Sequence, residues 1–188
     1  IPKAYEFHSM SIATELEQLH QRFAQRQLEQ TDSLPCIEHD SDWSSPCEVG
    51  SADANGMIQW QATRRSPTGS LTDLAAALEV EFPQALNEYY GAFFAGAITA
   101  KINQYSVELL QAWNEDDFDL LQQNITGHVL MKRKLKQEPT VFIGLTDQDD
   151  LLVSVLISSG EVCLEYVGKK PHHTLAANLG EFIAALEI

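Results

Sequence analysis

Residues 141–167 read VFIGLTDQDDLLVSVLISSGEVCLEYV. Three runs in it, 141–145, 151–157 and 162–167, are apolar or β-branched. They are separated by Asp147 to Asp150 and by Ser158-Ser159-Gly160, which are turn-forming stretches. Short apolar runs bounded by such stretches predict three antiparallel strands in a meander. Upstream, 97–103 and 106–111 have the look of a hairpin. Between hairpin and meander, 115 to about 135 reads as one long helix, with Phe118, Leu121, Ile125 and Val129 on one face. Downstream, a closing helix is expected from Thr174, with Leu175, Leu179, Phe182, Ile183 and Leu186 inward.

The first half is patterned less sharply. Ile12, Leu16, Leu19 and Phe23 recur at helical spacing over residues 11 to about 30. Residues 31–45 are polar and loop-like. Asn55-Gly56 is a turn signal, and 57–62 alternates as a strand leaving it. Residues 64–70 hold Pro67 and Gly69 and predict a second loop. Two short helices follow, 71–79 and 84–94, divided by Pro83. Strands and helices come in blocks rather than in strict alternation. The fold class expected is therefore α+β, a single domain with a mainly antiparallel sheet and flanking helices. Residues 1–9, IPKAYEFHS, precede Met10 and read as an expression leader, so the domain is expected to span 10–188.

Composition narrows function. The chain has 188 residues, with 27 acidic and 12 basic side chains, for a net charge of −15. Nucleic acid and anionic lipid repel such a molecule, and basic surfaces attract it. The same charge also serves solubility. No apolar run approaches the ~20 residues of a membrane-spanning helix, so direct lipid insertion is not expected. Three cysteines, Cys36, Cys47 and Cys163, form no CxxC pair and fit reduced thiols in a cytosol.

No catalytic motif stands out: there is no GxSxG elbow, phosphate-binding loop, GxGxxG or HExxH. Cys36, His39, His20 and Cys47 match no common zinc spacing, so neither a metal nor another cofactor is expected. His172-His173 lies in a Lys/Pro loop and fits a surface turn. His128 falls mid-helix near the apolar face, where a hydrogen-bonded packing histidine is the ordinary outcome. Lys132-Arg133-Lys134-Leu135-Lys136 is the one basic cluster. It ends the long helix, where cations complement the dipole, and the net charge argues against a nucleic-acid patch.

Trp113-Asn114-Glu115-Asp116-Asp117-Phe118 has two readings. Structurally it is a helix start: Asn114 caps, three carboxylates occupy the first turn, and Trp113 and Phe118 stand at the staple positions. Functionally, three adjacent carboxylates beside an aromatic could receive Lys or Arg from a partner.

Leu109-Leu110-Gln111, Trp113, Glu115-Asp116-Asp117-Phe118, Asn124 and Gly127-His128 stand at spacings that resemble the Syd family. So do Lys134-Leu135-Lys136, Pro139-Thr140, Phe142-Ile143, 159–163, Leu175-Ala176, Asn178-Leu179 and Glu181-Phe182. The resemblance is dense over 100–186 and looser over 10–100, where Pro46-Cys47 and Trp60 carry it. It implies a SUKH-type domain with a concave acidic surface and no enzyme activity. It also implies a cytoplasmic protein held at the inner membrane through SecY, the translocase channel subunit, as a regulator or quality-control factor. Cytoplasmic loops of membrane proteins are rich in Lys and Arg, which suits an acidic partner. The contact residues expected on that basis are Glu79, Glu81 and Glu88 from the mid-chain helices, and Glu115, Asp116 and Asp117 from the long helix. The wider superfamily offers an alternative, an immunity-type protein that neutralises a basic toxin.

Overall fold

The computed structural model describes residues 10–188; the expected leader, 1–9, lies outside the described residues. Helix α1, Ile12–Thr31, starts on Ser11, whose hydroxyl accepts the Thr14 N–H at 3.2 Å. It buries Leu16, Leu19 and Phe23, the stripe that helical spacing sets on one face. Strands β1 (Cys36–Glu38), β2 (Glu48–Val49) and β3 (Met57–Trp60) form a small antiparallel sheet with β3 in the middle. Strand β4 (Thr63–Arg64) leads to α2 (Thr72–Leu78) and α3 (Gln84–Gly91), and pairs with β5 (Phe93–Phe94).

The main sheet has six strands. They are β6 (Ile98–Ile102), β7 (Tyr105–Leu109), β8 (Thr140–Thr146), β9 (Leu151–Leu156), β10 (Val162–Tyr166) and β11 (His173–Ala176). Their spatial order follows the chain and every pairing is antiparallel. Helix α4, Glu115–Lys134, connects β7 to β8, and α5, Leu179–Ala185, closes the fold. At the β6 edge, Lys101 and Glu187 exchange two backbone hydrogen bonds of 2.8 Å, which covers part of an edge that would otherwise present open N–H and C=O groups. The architecture is single-domain α+β, as the block order of the sequence implied.

The three strands of the meander are buried on both faces, which is why they read as near-continuous apolar runs rather than as alternation. Opposed pairs settle the faces: Val141 with Val155, Val162 with Val155, and Leu164 with Val153 share one side. These residues are fully buried and join one core with α1, α3 and α5. The reverse face carries Thr140, Phe142, Ser154 and Glu165 and turns toward α4, whose His128 ring meets Phe142 edge-on at 5.4 Å. The β8 register shifts between Phe142 and Gly144. There Tyr90 and Tyr89 of α3 donate their phenols to the carbonyls of Phe142 (2.6 Å) and Ile143 (3.0 Å).

Three boundaries differ from expectation. Residues 174–176 are strand, not helix: β11 pairs with β10, and the helix starts only where Asn178 accepts the Glu181 N–H at 2.9 Å. Leu175 and Leu179 lie four apart, a spacing that imitates a helix across that break. Phe93-Phe94 leaves the expected helix 84–94 and pairs with Thr63-Arg64, of which Arg64 is the first residue of the expected loop 64–70. The expected loop 31–45 contains β1, which is exposed and carries no alternation.

Candidate functional site

The first turn of α4 is built much as the sequence implies. Asn114 takes an extended backbone, and its side-chain oxygen accepts the Asp117 N–H at 2.8 Å. Asp117 answers by accepting the Trp113 N–H at 2.7 Å. The cap also holds a distant loop. Asn114 Nδ2 donates to the Ser44 carbonyl (2.9 Å), Trp113 Nε1 donates to the Trp43 carbonyl (3.0 Å), and the Ser45 hydroxyl donates to the Trp113 carbonyl (2.5 Å). Asn114→Ala removes both the cap and the Ser44 bond. We expect it to lower stability by about 1 to 2 kcal/mol, read from the urea midpoint at unchanged slope.

Glu115 is already paired. Its carboxylate, with the side chain 69% exposed, receives Arg65 Nη2 at 2.7 Å, and the Arg65 side chain is only 4% exposed. The guanidinium lies 4.4 Å from the Phe94 ring centre and 4.5 Å from that of Phe118, a cation between two aromatic faces. Among the described residues, its Nε and Nη1 have no hydrogen-bond partner. Gly69 covers it so closely that a Cβ there would stand 2.3 Å from Nη1. Among the described residues, Glu115 is therefore the one counter-charge of a buried cation.

The stitched loop brings other acids to this end of the molecule. Asp40 and Asp42, just ahead of Trp43, are exposed, as are Asp116 and Asp119 on α4. Asp40 and Asp42 drew no attention in the sequence. The signal available was only the polar, acidic character of the stretch, with no hint that it folds against a helix cap some 70 residues away.

The other expected contact residues lie elsewhere. Glu79 and Glu81 are exposed and follow α2. Arg133, near the end of α4, donates to the Leu78 carbonyl at 2.6 Å. At 1.5 Å per residue that places Glu79 and Glu81 at the far end of a helix axis about 27 Å from Glu115. Glu88 is half-buried and accepts the Ile12 N–H at 2.9 Å, so it satisfies the first turn of α1. Asp117 likewise holds backbone. The six residues thus separate into one acidic end with Glu115 and Asp116, a second exposed pair, and two carboxylates already bound inside the fold.

The basic cluster is broken up as well. Lys132 is fully buried. Its ammonium donates to Glu165 Oε2 (2.9 Å), Gln137 Oε1 (3.0 Å) and the Lys169 carbonyl (2.9 Å). Glu165 also accepts from the hydroxyls of Thr140 (2.6 Å) and Ser154 (2.9 Å) and lies 3.1 Å from His128 Nε2. Because the Thr140 proton goes to Glu165, its oxygen accepts from His128 Nε2 at 2.8 Å. Burial alone would raise the Glu165 carboxyl; hydrogen bonds from His128, Thr140 and Lys132, with the Lys132 charge, outweigh it and hold it at about 2. Solvent does not reach this group, so it ties α4 to β8, β9 and β10. Cys47 and Cys163 are buried free thiols, and burial pushes the Cys163 thiol up to about 12, an unreactive state.

Among the described residues, no three His, Cys, Asp or Glu side chains come together as a metal-holding group, and no helix is long and apolar enough to cross a membrane. Comparison with known proteins is decisive for kinship. The family model described as Syd protein (SUKH-2) matches residues 13–187. A Protein Syd of Pseudoalteromonas translucida is 64% identical over 179 residues, covering 95% of this chain and 100% of the relative. A Protein Syd of Colwellia psychrerythraea is 42% identical over 173 residues, covering 87% and 86%. A third, from Psychromonas ingrahamii, is 34% identical over 92% of this chain and 94% of its own length. With a family model spanning nearly every described residue and relatives aligned over 86% or more of their own length, the chain belongs to the Syd family.

Proposed function

We propose that this protein is a binding module for basic cytoplasmic loops of SecY, and that it acts there as a regulator or quality-control factor of the translocase. Family membership carries the reading, and the charge supports it: a net −15 favours Lys- and Arg-rich loops and disfavours bare anionic lipid. Attachment to the cytoplasmic face of the inner membrane then runs through protein contact. No cofactor and no catalytic step enter this role.

In this proposal the first contact is the acidic end: Asp116 and Asp119 of α4 with Asp40 and Asp42 of the stitched loop. Glu115 contributes only by exchanging Arg65 for a partner cation. Glu79 and Glu81 form a second patch for a longer basic segment. Glu88 and Asp117 shape the surface through the backbone they hold. Charges arranged this way act on encounter rate and orientation more than on final affinity.

A tagged protein mixed with detergent-solubilised inner membranes tests the reading. At low salt it should retain SecY, identified by mass spectrometry. Near 1 M salt, where the screening length falls to about 3 Å, the yield should collapse. Retention of a soluble basic toxin in place of SecY would move the role to the immunity branch of the superfamily. Capture of SecY that is indifferent to salt would sink the electrostatic account.

A further inference from the structure

The C-terminal end of α4 differs in kind from the acidic end. Four lysines, Lys134, Lys136, Lys169 and Lys170, are exposed there. Two hydrogen bonds bring their segments together. The Lys132 ammonium donates to the Lys169 carbonyl at 2.9 Å, and Gln137 Nε2 donates to the Gly168 carbonyl at 3.0 Å. Among the described residues, none of the four lysines forms an ion pair. Two aliphatic side chains stand in the same two segments, Leu135 at 47% exposure and Val167 at 46%. Leu135 reaches the chain beside Val167: a Cβ on Gly168 would stand 3.9 Å from its Cδ1. A cleft of about 630 Å³ adjoins them, lined by Lys136, Lys170, His172 and His173. Glu138 and Glu161 line it too. Glu79 and Glu81 lie close by, and the Asp150 carbonyl accepts the Val167 N–H at 2.9 Å. These carboxylates temper the lysines without pairing with them.

Free cations beside exposed aliphatic side chains match an anionic lipid–water boundary. Ammonium groups meet phosphate oxygens there, while lysine stems and aliphatic side chains enter the apolar layer just beneath. An acidic protein segment would answer the charge alone. The net charge of −15 opposes lipid contact only within the range over which it is felt. Helix α4 has 20 residues and is about 30 Å long. With α4 upright on a lipid surface, the acidic end stands about three screening lengths away at 0.1 M salt. The charge at the touching end then decides.

We propose that this end of the molecule is an interfacial contact for anionic phospholipid. Lys134, Lys136, Lys169 and Lys170 meet the headgroup phosphates, and Leu135 and Val167 meet the acyl boundary. The contact is peripheral, and no segment crosses the bilayer. It gives a molecule recruited by its acidic end a second foothold on the membrane beside its partner. The contact does not rest on SecY binding and is tested with the free chain and lipid alone. Its failure leaves the SecY reading standing, and a failed SecY capture leaves the lipid contact standing.

The full chain is sedimented at ~0.1 M salt with vesicles of phosphatidylglycerol and phosphatidylcholine in equal parts, and with vesicles of phosphatidylcholine alone. Each lysine at an anionic surface adds attraction and the neighbouring carboxylates take part of it away, so partition onto the anionic vesicles is expected to be about tenfold higher. Changing the four lysines together to glutamine should bring the two partition coefficients to one value. Circular dichroism should stay at wild type, because all four side chains are exposed and unpaired. Leu135→Ser with Val167→Ser should weaken binding to the anionic vesicles about three- to tenfold. Equal partition of the wild type onto the two vesicles overturns the proposal, and that measurement needs no variant. So does a preference that survives the four glutamines, or a double serine variant that binds as wild type. Loss of the preference to excess inorganic phosphate at matched ionic strength would assign the lysines to a free phosphate instead. Capture on polyglutamate with no preference between the vesicles would assign them to an acidic protein segment. Either result overturns the lipid contact.

Discussion

Lys132→Met is expected to destabilise the fold by about 3 to 5 kcal/mol, the range for removing one partner of a buried ion pair. Lys132 and Glu165 are both sealed from solvent, and the ammonium uses all three of its protons on Glu165, Gln137 and the Lys169 carbonyl. Methionine fills a similar space, so the loss is not chiefly a cavity effect. What remains is a buried carboxylate held by two hydroxyls and an imidazole, without its counter-charge. Urea denaturation measures the change. Adding Glu165→Gln to Lys132→Met removes the stranded charge and should recover part of the loss. A single variant within about 1 kcal/mol of wild type would show that the pair is not the fastening the geometry implies. The wild type carries a linked pH dependence. Glu165 titrates at about 2 when folded against 4.5 in the free side chain. Its folded pKa is depressed, so its contribution is fully present above about 4.5 and lost as pH falls toward 2. That loss is on the order of 3 kcal/mol. Lys132→Met raises the carboxyl of the folded state, and acid unfolding should begin at higher pH.

Local patterns carried the sequence reading far for the framework. The 141–167 strands, the hairpin and α4 each announce themselves within a short window, by apolar runs, turns and helical spacing. Asn114 was legible to the atom, because a cap is decided by residues three apart. What failed was long-range pairing. Lys132 looks like one member of a basic surface run, and nothing near it shows that Glu165, 33 residues on, waits in β10. Glu115 looks like a free carboxylate, while its partner Arg65 lies 50 residues earlier. Phe93-Phe94 and residues 174–176 were drawn into neighbouring helices because apolar pairs without a turn residue carry no period of their own. The acidic end shows both sides. Its α4 half was visible in the sequence, while its Asp40 and Asp42 half exists only because Trp43, Ser44 and Ser45 bond to the cap. Kinship was readable because it rests on ordered identities along the chain, which require no contact map.

Replacing Asp40, Asp42, Asp116 and Asp119 together by asparagine is expected to slow association with SecY by about 10- to 100-fold at low salt, with dissociation changed far less. The four residues are exposed and gathered at one end, so their fields add over a distance comparable to the ~10 Å screening length at 0.1 M salt. Single replacements should be near silent, since an exposed pair contributes at most about 1 kcal/mol. Asparagine keeps the side-chain oxygen, so the Asp40 acceptor for the Asp42 N–H survives, and circular dichroism and urea midpoints should stay at wild-type values. Glu115→Gln has to be kept out of this set. It leaves Arg65 buried between Phe94 and Phe118 without a counter-charge, and a loss of binding there would mix folding with recognition. Glu79→Gln with Glu81→Gln, at the other end of α4, measures whether a basic segment reaches that far. Raising the salt should draw wild type and quadruple variant to a common rate. If the quadruple variant associates as fast as wild type at low salt, the acidic end does not steer the partner, and the net charge of −15 serves solubility alone.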